Sequence, residues 1–253
     1  MAKNWTREEL IITFNLYCKI PFAKTVKTNQ KVIEVANLID RTPSAVAFKL
    51  GNFGSFDEEL KKRGISGLAN TSKLDEEIWN EFNENWEQLA FESEQVIAKF
   101  KNEPIEKITE IDIENLPVGL EKERLVKTRV NQSFFRSTIL TSYNQKCCIT
   151  GLSVPELLIA SHIKPWSKDE QNRTNPQNGL CLNALHDKAF DKGYLTITTD
   201  YKVKISTYFG DFDGTDVNDY LFIHYNNLKI SLPEKFLPKR EFLEYHYKNI
   251  FKK

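Results

Sequence analysis

His162, Asn178 and His186 fall in one short stretch, and their types and order are suited to chemistry on a phosphate ester. The stretch reads Leu158-Ile159-Ala160-Ser161-His162-Ile163-Lys164-Pro165-Trp166, then Asn175-Pro176-Gln177-Asn178-Gly179-Leu180-Cys181-Leu182, then Leu185-His186-Asp187-Lys188-Ala189-Phe190-Asp191. An imidazole ending an apolar strand, an asparagine in a turn and an imidazole on the next helix can converge on one divalent ion. Hydrolysis of a phosphodiester needs a deprotonated water, charge compensation on the phosphoryl oxygens and help for the leaving oxygen. A histidine, with an ordinary pKa of about 6.5, suits the first task at neutral pH. His162 follows the apolar run Leu157-Leu158-Ile159-Ala160, which would fix its backbone, and is assigned as the general base.

This stretch resembles the HNH endonuclease family, whose ββα-metal motif uses the same order and roughly the same spacing. Asn178-Gly179 alone would mean only a turn. The resemblance implies more: the amide of Asn178, able both to donate and to accept, ties the loop to the strand bearing the base. His186, on a helix predicted over Leu180–Lys192, matches the family's metal-binding histidine, and a neutral imidazole is a good ligand for a divalent ion. The expected ion is Mg2+ or Mn2+. Two positions depart from the wider family pattern: Ser161 stands where an Asp or His often precedes the base, and Phe190 where a polar ligand often follows the helix histidine. Asp187 or Asp191 could compensate. Asp191 is preferred because a carboxylate at a helix C-terminus opposes the dipole and needs a reason to be there. The expected metal ligands are therefore His186 and Asp191, with water or substrate completing the shell.

The elements around this stretch must position it and bring a polyanion to it. Lys164, Lys168 and Arg173 lie in the loop between strand and helix, with Arg173 the better phosphate contact. A helix predicted over Glu121–Tyr143 leads into the motif; its run Arg129-x-x-Gln132-x-x-Phe135-Arg136 resembles the lead-in helix of a restriction-type HNH subgroup, and Arg129 and Arg136 are expected to reach phosphate. After the motif, residues 194–198 and 202–206 alternate around Thr199-Asp200-Tyr201 as a hairpin, and a basic, aromatic-rich helix covers Phe236–Phe251.

Toward the N-terminus the pattern is helical. Thr6 and Glu9 form a capping box before Leu10, Phe14 and Tyr17. A second helix spans about Gln30–Ile39, Asp40-Arg41 turn, and Thr42 caps a third with Pro43 at its first position. Two helices so joined resemble a helix-turn-helix unit that would set Arg41, Ser44 and Lys49 against DNA. Gly64–Ser72 reads as a linker, Lys73–Lys101 as one long amphipathic helix with an acidic outer face, and Lys101–Pro117 as a second connector.

The 40% apolar share of the 253 residues supports real cores, and formal net charge is zero. Charge is unevenly spread: residues 1–70 are net +4, 71–120 net −9 and 121–253 net +5, so a polyanion would meet the two ends. No apolar run of about 20 residues and no signal-peptide core are present, which makes a cytoplasmic protein with no membrane partner the expectation. Cys18, Cys147, Cys148 and Cys181 form neither a secreted-disulfide pattern nor paired C-x-x-C motifs, so structural zinc is not expected. The fold class is α+β: a helix-turn-helix-like domain over 1–66, an acidic linker over 67–120, and a ββα-metal nuclease domain over 121–253 with its core motif at 147–197. The function expected is metal-dependent hydrolysis of DNA, of bacterial restriction or phage-defence type, with no small-molecule substrate and with a homodimer as one way to cut both strands. A DNA-binding regulator with a degenerate nuclease domain, or a nuclease switched on by a signal, are the alternatives.

Overall fold

A computed structural model of the chain describes residues 3–65, 67–68, 70–108, 122–208 and 216–253. It divides into two compact units, Met1–Thr138 and Ile139–Lys253. The class is α+β: among the described residues, strands occur only in the second unit.

The first unit is built on α1 (Arg7–Lys19), which is buried along its whole length from Glu9 to Cys18. A helix with so little polar surface must be surrounded. It starts where Thr6 accepts from the Glu9 N–H and Glu9 answers to the Thr6 N–H, the expected capping box. Around it lie α2 (Gln30–Leu38), α3 (Pro43–Gly54), α4 (Glu58–Lys62), α5 (Lys73–Phe82), α6 (Trp86–Lys101) and α7 (Ile105–Ile108). Phe14 centres an aromatic cluster, its ring 4.9 Å from Phe53 and 5.3 Å from Trp79. Thr42 caps α3 through the Ala45 N–H with Pro43 at the first position, as expected, and Asp40 makes the turn before it with φ 53°.

The single helix expected over Lys73–Lys101 is two. Asn83 and Asn85 flank Glu84, which takes φ 74°, and the chain bends there so that α5 and α6 both pack on α1. Asparagine offers its side chain to the local backbone in place of the helical bond, which ends α5 at this point. Of the two expected connectors, Ser66, Ala69 and residues 109–117 lie outside the described residues.

Helix α8 (Lys122–Ser142) begins in the first unit and runs into the second. There β1 (Leu158–His162) pairs antiparallel with β2 (Gly179–Asn183), Leu158 opposite Asn183 and His162 opposite Gly179. Helix α9 (Ala184–Asp191) follows at once and packs on both strands. The helix expected from Leu180 thus starts four residues later than predicted. Leu180, Cys181 and Leu182 are all buried, and a continuous apolar run fits a covered strand as well as a helix. Pairing with β1 decides it.

The hairpin follows as β3 (Leu195–Ile197) and β4 (Val203–Ile205), turning through Tyr201 at φ 62°. Then come α10 (Asp216–Leu221) and α11 (Arg240–Asn249). The last helix is shorter than expected because Phe236 sits at φ 60° and Pro238 has no N–H to give a preceding turn. Leu158, Leu180, Leu182, Phe190, Leu195 and Leu243 fill the core. All four cysteines are buried thiols, and burial pushes the Cys148 thiol well up. Among the described residues, no helix is long and apolar enough to cross a membrane.

Candidate functional site

The β1–β2 pair and α9 bring the motif residues to one end of the second unit. His162 closes β1, and the chain then runs through the loop 163–175 to a 3-10 turn, Pro176–Asn178, before β2. Asn178 is 1% exposed and holds the loop's two ends together. Its Oδ1 accepts from the Lys164 N–H at 2.8 Å, and its Nδ2 donates to the carbonyls of Lys164 at 3.1 Å and Asn172 at 3.3 Å. Its own carbonyl takes the Ile163 N–H at 2.9 Å. The exit of the strand just past His162 is thereby fixed from both the donor and the acceptor side.

The His162 ring turns into this loop. Its Nε2 is 2.9 Å from the Arg173 carbonyl oxygen, and its edge meets the Trp166 ring with centroids 5.5 Å apart. A carbonyl only accepts, so Nε2 carries the proton and the tautomer places the lone pair on Nδ1. Burial lowers the pKa of the ring, opposed in part by that bond to Arg173. The ring is therefore neutral at neutral pH.

His186 lies elsewhere. It is 2% exposed in the first turn of α9. Asn183 caps the helix by accepting the His186 N–H at 2.9 Å, while its Nδ2 lies 2.8 Å from His186 Nδ1. Nε2 donates to the Leu221 carbonyl at 2.9 Å, and Phe222 and Tyr225 pack on the ring. Both ring nitrogens are engaged by protein, and these partners include none of the groups named around His162. As described, the ring presents no lone pair to an ion; the metal-ligand role expected for it meets a helix-anchoring histidine instead.

Asp187 and Asp191, one helical turn apart on α9, are arranged differently. Consecutive strand residues face opposite ways, so Ser161 points toward α9 while His162 points to the loop. The Ser161 hydroxyl is 3% exposed and finds no hydrogen-bond partner of ordinary geometry, yet it lies close enough to Asp187 to favour the ionised carboxylate. Burial outweighs this and raises the Asp187 pKa. Asp191, exposed at the end of α9, is also raised, by partial desolvation first and then by the like charge of Asp187. Among the described residues, no group of three His, Cys, Asp or Glu side chains converges as a metal centre. A divalent ion here would rest on two carboxylates and the orphaned hydroxyl, a set of hard oxygens that fits Mg2+ or Mn2+. The sequence reading passed over Ser161 and Asp187 as a pair; strand alternation and the i,i+4 spacing were the available signals.

The expected phosphate contacts divide. Arg173 stands over the Trp166 ring, its Nε donating to the Trp166 carbonyl and its Nη2 3.2 Å from the exposed Glu170. Lys164 pairs with Asp169 at 2.9 Å beside the Tyr245 ring. In the first unit, Arg129 and Arg136 are exposed on α8 and Ser44 is exposed on α3. Arg41 and Lys49 are not presented to a ligand. Arg41 pairs with the 2%-exposed Glu9 and donates to the carbonyls of Lys3 and Asn4; Lys49 pairs with the fully buried Asp75 at 2.7 Å. Their charge is spent on neutralising buried carboxylates, and the residue that α3 shows to solvent is Phe48.

Residues 147–198 match the family model described as HNH endonuclease. No curated protein matches the chain. The match spans β1, the loop clamped by Asn178, β2, α9 and β3, and over this segment the chain carries an HNH endonuclease domain.

Proposed function

We propose that the chain is a divalent-metal-dependent endonuclease that hydrolyses DNA phosphodiesters, with His162 as general base. The observation that carries this reading is the clamp on His162: Asn178 fixes the strand exit by three side-chain bonds, and the Arg173 carbonyl fixes the tautomer. A neutral ring held this way offers Nδ1 to a water, and a positioned base contributes roughly 10²–10⁴-fold. When bound, the ion supplies charge compensation on the phosphoryl group and on the departing oxygen. Arg173 adds a cation at the loop, since its pairing with the exposed Glu170 is readily exchanged for a phosphate. His186 acts by anchoring the first turn of α9.

A bacterial restriction or phage-defence role is the setting we infer, from the likeness of the lead-in helix and N-terminal segment to restriction-type HNH proteins. The regulator alternative draws no support from α3, whose expected cations Arg41 and Lys49 are occupied inside the fold.

Nicking of supercoiled plasmid with Mg2+, comparing the wild type with His162→Ala, tests the assignment. Wild-type nicking that falls by about 10²-fold or more in the variant supports it. Equal activity in the two, or no cleavage by the wild type, overturns it.

A further inference from the structure

We propose that the divalent ion is held by the carboxylates of Asp187 and Asp191 with the Ser161 hydroxyl as a third protein donor, and not by His186. This rests on the nuclease reading above only for the reason an ion is needed; the site itself stands on geometry. Asp187 and Asp191 share one face of α9 at i,i+4 spacing, and α9 packs on β1 with Ser161 turned toward it. Among the described residues, neither carboxylate closes an ion pair, although Lys188 and Lys192 are near in sequence. Asp191 also sits at the negative end of the α9 dipole, which a carboxylate opposes and a cation relieves.

The second observation is independent of the acidic pair. Ser161 buries a hydroxyl without a formed hydrogen bond, which costs free energy unless a ligand completes the arrangement. Neutral oxygen and two carboxylates match what Mg2+ accepts: few protein donors, with water and phosphate oxygens filling the octahedron. Two uncompensated carboxylates next to the residue that precedes His162 would otherwise repel a polyanion. With a cation between them, the same place attracts one.

His186 cannot take the ion without giving up its bond to Asn183 or to Leu221, and the first holds the cap of α9. The departures at Ser161 and Phe190 then have one explanation: the donor pair on the helix is moved by one residue, from positions 186 and 190 to 187 and 191.

The test is calorimetric titration of the full chain with Mn2+ alone, for the wild type and for Asp187→Asn, Asp191→Asn, Ser161→Ala and, as a surface control, Asp200→Asn. Loss of either helix carboxylate is expected to weaken Mn2+ by more than about tenfold, beyond the lower end of the roughly 10–100-fold that an outer-shell partner costs. Ser161→Ala should weaken it less, and Asp200→Asn not at all, its side chain being exposed on a turn. Melting temperatures of the two Asn variants without metal, equal to or above the wild type, show that lost binding is not lost folding. Unchanged Mn2+ affinity in both Asn variants, or no Mn2+ binding by the wild type, overturns the site. Plasmid nicking on the same preparations separates the two readings. Mn2+ bound through Asp187 and Asp191 without wild-type cleavage leaves this site and removes the nuclease; His162-dependent cleavage with unaltered Mn2+ affinity in the variants does the reverse.

Discussion

At Asn178 a single side chain satisfies three backbone groups of the loop that follows the proposed base, and it does so with 1% of its surface exposed. Truncation would orphan the Lys164 N–H and the Lys164 and Asn172 carbonyls together. Asn178→Ala is therefore expected to cost at least about 1–3 kcal/mol of stability, the penalty for one buried group left unpaired. It should also lower nicking activity while His162 is still present. Denaturant unfolding and plasmid nicking measure the two, and a variant as stable and active as the wild type would show that the clamp is dispensable. The types and order of His162, Asn178 and His186 were legible in the sequence. The partners of each ring were not, because Arg173 and Leu221 reach them through backbone carbonyls, which carry no residue-type signal.

Among the elements, α9 and the strands beside it depend on a close approach of the C-terminal segment. Gly193 follows α9 with φ 75°, and a Cβ built there would lie 2.1 Å from the Ile250 carbonyl oxygen. The Lys252 N–H donates to the Gly193 carbonyl at 2.9 Å across the same approach. Gly193→Ala is expected to destabilise the second unit by more than the roughly 1 kcal/mol of the left-handed backbone alone, since the Ile250 backbone must also move. A thermal melt within a degree of the wild type would contradict this. Element boundaries were legible where a local signal sets them: Thr6 and Thr42 cap their helices, and the alternation around Tyr201 makes its hairpin. They were not where a neighbour decides. The break at Asn83–Asn85 lets α5 and α6 both cover α1, and Leu180–Asn183 is a strand because β1 lies beside it.

For the molecule as a whole, pH enters through His246, buried in the second unit against Phe190. Its ring stacks on Phe190 with centroids 3.7 Å apart, its Nε2 donates to the Phe190 carbonyl and its Nδ1 accepts from the Thr196 hydroxyl. Burial pushes its pKa down from 6.5 to about 4. Below pH 6.5 the unfolded chain takes up a proton that the folded ring refuses, so stability is full above that value and falls as pH drops toward 4. The loss from this residue is about 3 kcal/mol across the window, at about 1.36 kcal/mol per pKa unit. Unfolding midpoints between pH 7 and 4 should show it in the wild type and a flatter profile in His246→Gln; parallel profiles would assign the effect elsewhere.

The sequence by itself determined the helical and hairpin pattern, the α+β class, and the presence of an HNH stretch, since caps, turn residues and motif order are local properties of neighbouring side chains. Only the tertiary structure decided which charges are available. Arg41 and Lys49 are drawn into ion pairs with Glu9 and Asp75, and His186 is engaged by Asn183 and Leu221. Ser161, meanwhile, is set against Asp187. A side chain's charge and lone pairs are written in its type, but whether they face solvent, a ligand or a buried partner depends on residues far away in the chain. That is a matter of packing.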